Sequence, residues 1–227
     1  MNAVLFRFRC AVLAQFALLS VLLCPVSAAH AATAGADAPG RCLAEAGRAI
    51  DGADAAAFER QVDVDGILEQ ALALIARDMQ RPGSADRYPP LLALVFSQAG
   101  ARAGGGDAVR SLLKSEARAF ILNGVDSGAF AGRAPRGGGN GLLAPLFADA
   151  SLGRKEIRRV GAARPDGGDW LLPFVVHDAG NGQDYAVLGR FSPTGDGCRL
   201  TAVENLEELF ERIRRESLAD LVERDLD

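Results

Sequence analysis

The stretch GDWLLPFVVHDAGNGQDYAVLGRF, residues 168–191, contains two apolar runs separated by a turn signal. In each run large apolar side chains recur at every second residue, which is the period of a β-strand. These positions are Trp170, Leu172, Phe174 and Val176 in the first run, and Tyr185, Val187 and Phe191 in the second. Asn181-Gly182 lies between the runs and suits a tight turn. The stretch therefore predicts an antiparallel hairpin.

Two flanking segments extend the predicted sheet. RKEIRRVGAA, residues 154–163, is a candidate strand with weak alternation. CRLTAV, residues 198–203, alternates Cys198, Leu200 and Ala202 with polar residues, and the PTGDG turn at 193–197 joins it to the hairpin. Pro173 cannot donate a backbone hydrogen bond, which favours an edge or a bulge at that position. The segments predict a meander of about four strands.

Helical spacing of apolar residues predicts several helices before the sheet and one after it. The predicted helices are 41–50, one capped by Asp54, one capped by Asp63 or Asp65 and running to Met79, 88–100, one from Asp107 to Asn123, and a last one that begins at Asn205 in a capping box with Glu208. Helices, then a curved antiparallel meander, then a helix define an α+β fold.

The first thirty-one residues have the pattern of a secretory signal peptide. Arg7 and Arg9 precede an apolar run that ends in Ala29-His30-Ala31, which predicts cleavage after Ala31. A retained anchor and a lipoprotein modified at Cys24 are the alternatives. The protein is therefore expected in the periplasm or secreted, with no transmembrane segment in the mature chain. Residues 32–40 are expected to form a flexible leader, and 41–227 a single domain with a glycine-rich loop at 124–141.

Charge argues against nucleic acid as a partner. Removing Arg7 and Arg9 with the leader changes the formal net charge from −4 to −6, and residues 204–227 carry nine acids against four arginines. Nucleic acid binding needs a basic surface.

Two cysteines, Cys42 and Cys198, remain after the predicted cleavage. An even count outside the cytoplasm predicts a disulfide. Two buried thiols and a redox function are the alternatives, although no C-x-x-C motif supports the latter. Two cysteines with one histidine elsewhere do not make a zinc site, and we expect no metal or other cofactor.

His177 is the single histidine after the predicted cleavage, and Asp178 follows it directly. Neighbours in a strand point to opposite faces, so these two side chains should not form a catalytic dyad. His177 is expected at a strand end, with pocket lining or catalysis as alternatives. Asp178 is expected to stabilise the following turn.

Two other motifs are weak. Asp63, Asp65 and Gly66 match part of an EF-hand loop, but Gln61 and Leu72 stand where its first and last ligands belong. GRAPRGGGNG, residues 132–141, lacks the strand and the Lys-Ser/Thr pair of a phosphate-binding loop.

The segment CRLTAVENLEELF, residues 198–210, resembles the end of the cone-shaped nuclear-transport-factor-two-like fold. It is also similar to the periplasmic phospholipid carriers of the toluene-tolerance type, and DGADAAAFERQVDVDGILEQAL, residues 51–72, looks like the opening helices of uncharacterised secreted bacterial domains. The resemblance implies a cavity for an apolar ligand. Some cone-fold enzymes carry an Asp-His pair, but the sequence shows no matching pair, so no catalytic residue is assigned.

These observations favour an exported, non-enzymatic protein that carries or senses a small apolar molecule or lipid. The expected ligand-binding residues are Trp170, Phe174, Tyr185 and Phe191. A structural or interaction module of the cell envelope is the first alternative, and a hydrolase that uses His177 is the second.

Overall fold

The computed structural model describes residues 37–83, 105–134, 153–195, 197–213 and 215. The chain divides into two units, Met1–Ala38 and Pro39–Asp227, and the elements described below belong to the second, apart from Ala38. The predicted signal peptide and the predicted helix at 88–100 lie outside the described residues.

Among the described residues, four helices precede the sheet in the sequence and one follows it. They are α1 (Ala38–Gly52), α2 (Ala55–Gln61), α3 (Val64–Met79), α4 (Gly105–Asp126) and α5 (206–213), and a 3₁₀ turn covers Ala129–Ala131. Asp54 caps α2 by accepting a bond from the Ala57 amide at 2.8 Å. Asp63 caps α3 in the same way through Gly66. Both predicted caps are confirmed.

The sheet is an antiparallel meander. Its strands are β1 (Lys155–Arg158), β2 (Arg164–Asp166), β3 (Asp169–Asp178), β4 (Gln183–Thr194) and β5 (Gly197–Val203). The order is β1-β3-β4-β5, and β2 pairs with β3 on the same edge as β1. Helices followed by this meander and by α5 confirm the predicted α+β class. The short β2 is an addition to the four predicted strands.

Pro173 lies opposite an irregularity in the outer strand, as its missing amide predicted. β1 pairing with β3 ends at Val175 and β2 pairing begins at Leu171. Between them the Gly161 amide donates to the Pro173 carbonyl at 2.8 Å. In an antiparallel ladder the amide and carbonyl of one residue face the same neighbour, so the missing Pro173 donor costs no bond to β4.

A bulge in β5 changes which side chains share a face. Phe191 pairs with Leu200, whereas Gly189 pairs with Val203, so one extra residue lies in β5. Val203 is consequently buried on the face of Leu200, and Ala202 lies opposite Arg190 on the other face. The simple alternation expected for Cys198, Leu200 and Ala202 is therefore wrong at Ala202.

One face of the sheet packs against α1. The disulfide between Cys42 of α1 and Cys198 of β5 joins that helix to this face, with a Cα–Cα distance of 6.1 Å. Ile157 of β1 also lies against α1, because its Cδ1 would be 3.3 Å from a Cβ added at Gly47. The predicted disulfide is confirmed. We name the side of the sheet that carries Ile157 and Cys198 the helix face, and the other side the open face.

Two side-chain amides complete the hydrogen bonding of the sheet. Gln70 of α3 donates to the Val203 carbonyl at 2.8 Å and accepts from the Val203 amide at 3.1 Å. Asn205 accepts from the Leu188 amide and donates to the Ala186 carbonyl, both at 2.8 Å. Each side chain therefore replaces a peptide group of a neighbouring strand. The predicted capping-box role of the Asn205 side chain is wrong, because its amide binds β4 instead.

The predicted ends of α1 and α4 differ from the structure. α1 begins at Ala38, within the segment 32–40 predicted as a flexible leader, and ends at Gly52. α4 begins at Gly105, so Asp107 lies in its first turn and does not precede it. The helix also continues through Gly124 to Asp126, because Val125 and Ala129 are fully buried and hold the chain in place. Within the predicted loop at 124–141, residues 124–126 thus belong to α4 and Ala129–Ala131 form the 3₁₀ turn, and residues 135–141 lie outside the described residues.

Candidate functional site

His177 forms a hydrogen bond with an aspartate across the hairpin. Its Nδ1 lies 2.7 Å from Oδ1 of Asp184, and the two residues are directly paired in the β3–β4 register. Directly paired residues of an antiparallel ladder project from the same face. The His177 side chain retains 18% of its exposure and the Asp184 side chain 39%. The pair therefore lies partly shielded on the open face.

Turn length determines that Asp184 is the partner. A two-residue turn at Asn181-Gly182 would place Ala186 opposite His177. The observed turn has four residues, 179–182, so Asp178 pairs with Gln183 and His177 with Asp184. Counting back from a four-residue turn would have found the pair, but the Asn-Gly signal favoured the shorter turn. Sequence reasoning therefore missed Asp184.

An arginine holds the other oxygen of Asp184. The Arg159 guanidinium contacts Oδ2, and Arg159 itself has a left-handed backbone with φ of 49°. The His177 hydrogen bond, with added attraction from Arg159, holds the pKa of Asp184 below its usual range against partial desolvation. Asp184 is therefore ionised at neutral pH and fixed from two sides.

Glu156 is the next residue in the same row of the sheet. It is paired with His177 in the β1–β3 register. Its carboxylate accepts from Arg158 Nε at 2.8 Å and from Arg154 Nε at 2.9 Å. These two hydrogen bonds, that of Arg158 first, lower the pKa of Glu156. Glu156 is thus engaged by arginines and remains an anion beside the imidazole.

Asp178 lies on the helix face, as the alternation of the strand requires. Its Oδ1 accepts from the Gly180 amide at 2.9 Å, which confirms the predicted role in the turn. Its Oδ2 is 2.7 Å from Nζ of Lys155, whose ammonium also lies 5.6 Å from the centroid of the Phe130 ring. Burial lowers the pKa of Lys155, and the Asp178 carboxylate opposes that shift. The cluster is a shielded ion pair that ties β1 to β3.

Arg190 is occupied by three carboxylates on the open face. It contacts Glu204 at 2.6 Å, Asp166 at 2.8 Å and Asp169 at 3.3 Å. The hydrogen bonds from these groups, that of Glu204 first, raise the pKa of Arg190. An anionic ligand head group would have to displace these partners, so Arg190 is a structural cation that joins β2, β4 and the end of β5.

The four predicted ligand-binding aromatics share the helix face but do not form one wall. Trp170 pairs directly with Phe191, whereas Tyr185 pairs with Val176 towards the other end of the hairpin. Tyr185 lies under Arg212 of α5, with 5.2 Å from the guanidinium carbon to the ring centroid. Phe191 and Phe174 are buried, with 1% and 5% exposure.

The space between the two buried phenylalanines is filled. A Cβ added at Gly189 would lie 2.8 Å from Leu200 Cδ1, and 3.0 Å from ring carbons of Phe174 and Phe191. Such distances leave no room for even one more carbon atom. At this position the aromatic side chains therefore pack against one another.

Comparisons of the chain with protein-family models, with curated proteins and with solved structures find no match. The resemblance to the cone-shaped fold stays a prediction. Within the described ranges, no group of three or more His, Cys, Asp or Glu side chains is arranged to hold a metal ion. No helix in the described part of the chain is long and apolar enough to cross a bilayer.

Proposed function

We propose that the protein is an exported α+β domain that acts by binding at its surface, as an interaction or structural module of the cell envelope. The observation that carries this choice over a lipid carrier is the packing at Gly189, where an added Cβ would lie within 3.0 Å of Leu200, Phe174 and Phe191. Aromatic residues that fill a core are not available to line a binding cavity, which for a drug-sized ligand has about 300 Å³ or more.

Export is supported by two observations that do not depend on each other. The first residues have the signal-peptide pattern ending at Ala31. Cys42 and Cys198 are bonded to each other, and structural disulfides persist mainly in oxidising compartments. Both observations support a location in the periplasm or outside the cell.

The N-terminus of the exported protein tests its location. Intact-mass and N-terminal peptide analysis of protein purified from the periplasm or medium should give Ala32 as the first residue. A chain that retains Met1, or one that carries lipid on Cys24, would contradict cleavage after Ala31.

Fluorescence of Trp170, the single tryptophan, distinguishes the module from the carrier. Titration with oleate, and separately with phosphatidylglycerol vesicles, should leave its emission unchanged in a surface-binding module. Trp170→Phe gives the background signal of each lipid. A saturable emission shift in the natural protein would restore the carrier function. Native mass spectrometry of protein from its own host then shows whether it copurifies with a lipid or with another protein.

A further inference from the structure

The polar pair on the open face has the arrangement of a general base and its orienting carboxylate. We propose that His177 is the general base of a hydrolytic site that acts on carboxylic esters, with Asp184 as its positioning residue. This activity goes beyond the surface-binding function proposed above and does not depend on it. Three structural observations carry the proposal: the 2.7 Å contact between Nδ1 and Asp184, the placement of both side chains on paired strands, and the partial shielding of the His177 side chain.

Asp184 determines which imidazole nitrogen can accept a proton. An ionised carboxylate only accepts hydrogen bonds, so the 2.7 Å contact requires that Nδ1 of a neutral His177 carries the hydrogen. The lowered pKa of Asp184 keeps that carboxylate ionised. The Nε2 lone pair is then the basic site, and no described residue bonds it. A carboxylate on Nδ1 also stabilises the imidazolium that forms after proton uptake.

Both side chains are held by elements of the sheet. His177 and Asp184 lie on paired strands, and Arg159 contacts the second Asp184 oxygen from the other edge of β3. A base on a rigid element loses less freedom when substrate arrives than one on a loop. Glu156, which is paired with His177 on its other side, is bonded to Arg154 and Arg158 and so does not compete for the imidazole.

The exposure of His177 fits a base that works on water. Its side chain keeps 18% of its accessible surface, enough for a water molecule to reach the ring while most of the ring is shielded. No described hydroxyl or thiol bonds His177, so the proposed nucleophile is water. Esters suit such a site better than amides, because an alkoxide can leave without prior protonation, whereas the nitrogen of an amide must be protonated before it leaves as an amine.

The reaction balances without a cofactor. Nε2 removes a proton from water as the water oxygen adds to the ester carbonyl carbon and forms a tetrahedral oxyanion. Collapse of this intermediate re-forms the carbonyl and breaks the bond to the alcohol oxygen. The imidazolium returns its proton to the departing alkoxide, which gives one acid and one alcohol from one ester and one water.

The test uses p-nitrophenyl acetate with the full chain, compared with imidazole at the same concentration and pH. Positioned general-base catalysis contributes about 100-fold or more, so the protein should exceed imidazole by about that factor. His177→Gln should remove the excess. The exposed acid of the first turn of α4 provides the matched control, and Asp107→Asn should keep the full rate. A rate no greater than that of imidazole, or an excess that survives in His177→Gln, would overturn the proposal.

The positioning role of Asp184 has its own readout. Asp184→Asn replaces a carboxylate that only accepts hydrogen bonds with an amide that can donate to Nδ1 and so favour the other tautomer, and the rate should fall. Asp184→Glu should restore part of the rate. ¹⁵N chemical shifts of His177, recorded with His30→Gln to leave one histidine, should show a neutral ring protonated at Nδ1. A neutral ring that carries its hydrogen mainly on Nε2 would contradict the proposed base, whatever the rates of the variants.

Discussion

At the scale of single residues, polar side chains complete the backbone bonding of the sheet where strands end. The Gln70 side chain makes the two hydrogen bonds to Val203 that a neighbouring strand would otherwise make. The Asn205 side chain does the same for Ala186 and Leu188. A backbone group left without a partner in a partly buried site costs free energy comparable to a lost hydrogen bond. Both amides are needed as amides, because each donates one bond and accepts another.

Gln70→Glu tests this requirement. The carboxylate can still accept from the Val203 amide, but it cannot donate to the Val203 carbonyl and repels it. We expect the free energy of unfolding to fall by about 1–3 kcal/mol, measured by urea denaturation at pH 7. Gln80→Glu, an exposed change of the same chemistry, is the control. If both variants lose the same free energy of unfolding, the added charge and not the lost hydrogen bond accounts for the effect.

Gly189→Ala tests whether the core is filled. The added methyl group would lie 2.8 Å from Leu200 Cδ1 and 3.0 Å from both phenylalanine rings. Overpacking of this kind costs about 1–3 kcal/mol of unfolding free energy. Gly197→Ala, also in a strand but with no atom within 4 Å of the new methyl, should change stability much less. If Gly189→Ala is instead tolerated, space exists there and the carrier function regains support.

At the scale of elements, α3 and α4 are joined by ion pairs along their length. Lys114 of α4 lies 2.9 Å from Glu69 and 3.5 Å from Asp65 of α3, and Arg110 adds a contact with Glu69. The Lys114 hydrogen bond lowers the pKa of Glu69, and the Glu69 bond raises the pKa of Lys114. The two carboxylates are exposed and the two cations are half-buried, so solvent and salt screen these pairs.

Acid should weaken this helix pair. The folded-state pKa of Glu69 is below its unfolded value, so the unfolded chain binds more protons as pH falls through about 4.3, the ordinary value for glutamate. The contribution is present above that pH and is lost below it. We expect Tm to fall between pH 5 and pH 3, with a shallower fall for Glu69→Gln. Glu208→Gln, an exposed change on α5, should show the same fall of Tm with pH as the natural protein. If Tm of Glu69→Gln falls as steeply as in both of these proteins, the pair has no such role.

At the scale of the whole molecule, contacts between distant parts of the sequence hold the first helices to the last strand. Cys42 and Cys198 are 156 residues apart, and Gln70 and Val203 are 133 apart. The Asp63 amide also donates to the Leu200 carbonyl at 2.8 Å, which forms a parallel bridge beside β5. β5 is thus bonded on its outer edge by the link between α2 and α3 and by Gln70 of α3, and this leaves fewer groups available for edge-to-edge association.

Removal of the disulfide should lower stability substantially. In the chain-entropy model a closed loop of this length stabilises the fold by up to about 5 kcal/mol, with measured losses of about 2–5 kcal/mol on removal. We expect that loss for Cys42→Ala combined with Cys198→Ala, measured by urea denaturation. A reducing agent should destabilise the natural protein and leave the double variant unchanged. In protein that begins at Ala32, two thiols that react in the unreduced, unfolded state would show that no bond forms.

The sequence by itself determined the elements that depend on local patterns. Period-two apolar runs defined β3 and β4, and short acidic side chains before helices identified the caps at Asp54 and Asp63. The missing amide of Pro173 favoured an edge or a bulge, and the pairing of the outer strands with β3 is interrupted at that residue. Cysteine count and compartment predicted the disulfide, because only one pair remained.

Only the tertiary structure decided what depends on register and on distant partners. One extra residue in β5 moved Ala202 to the open face, and two extra residues in the hairpin turn put Asp184 beside His177. The amides of Gln70 and Asn205 have no local sequence signal, because their partners lie on other elements. The period of the apolar side chains indicates which residues of a strand share a face. Which residues pair between strands depends on turn length and on bulges, and the residue types in the sequence specify these only weakly.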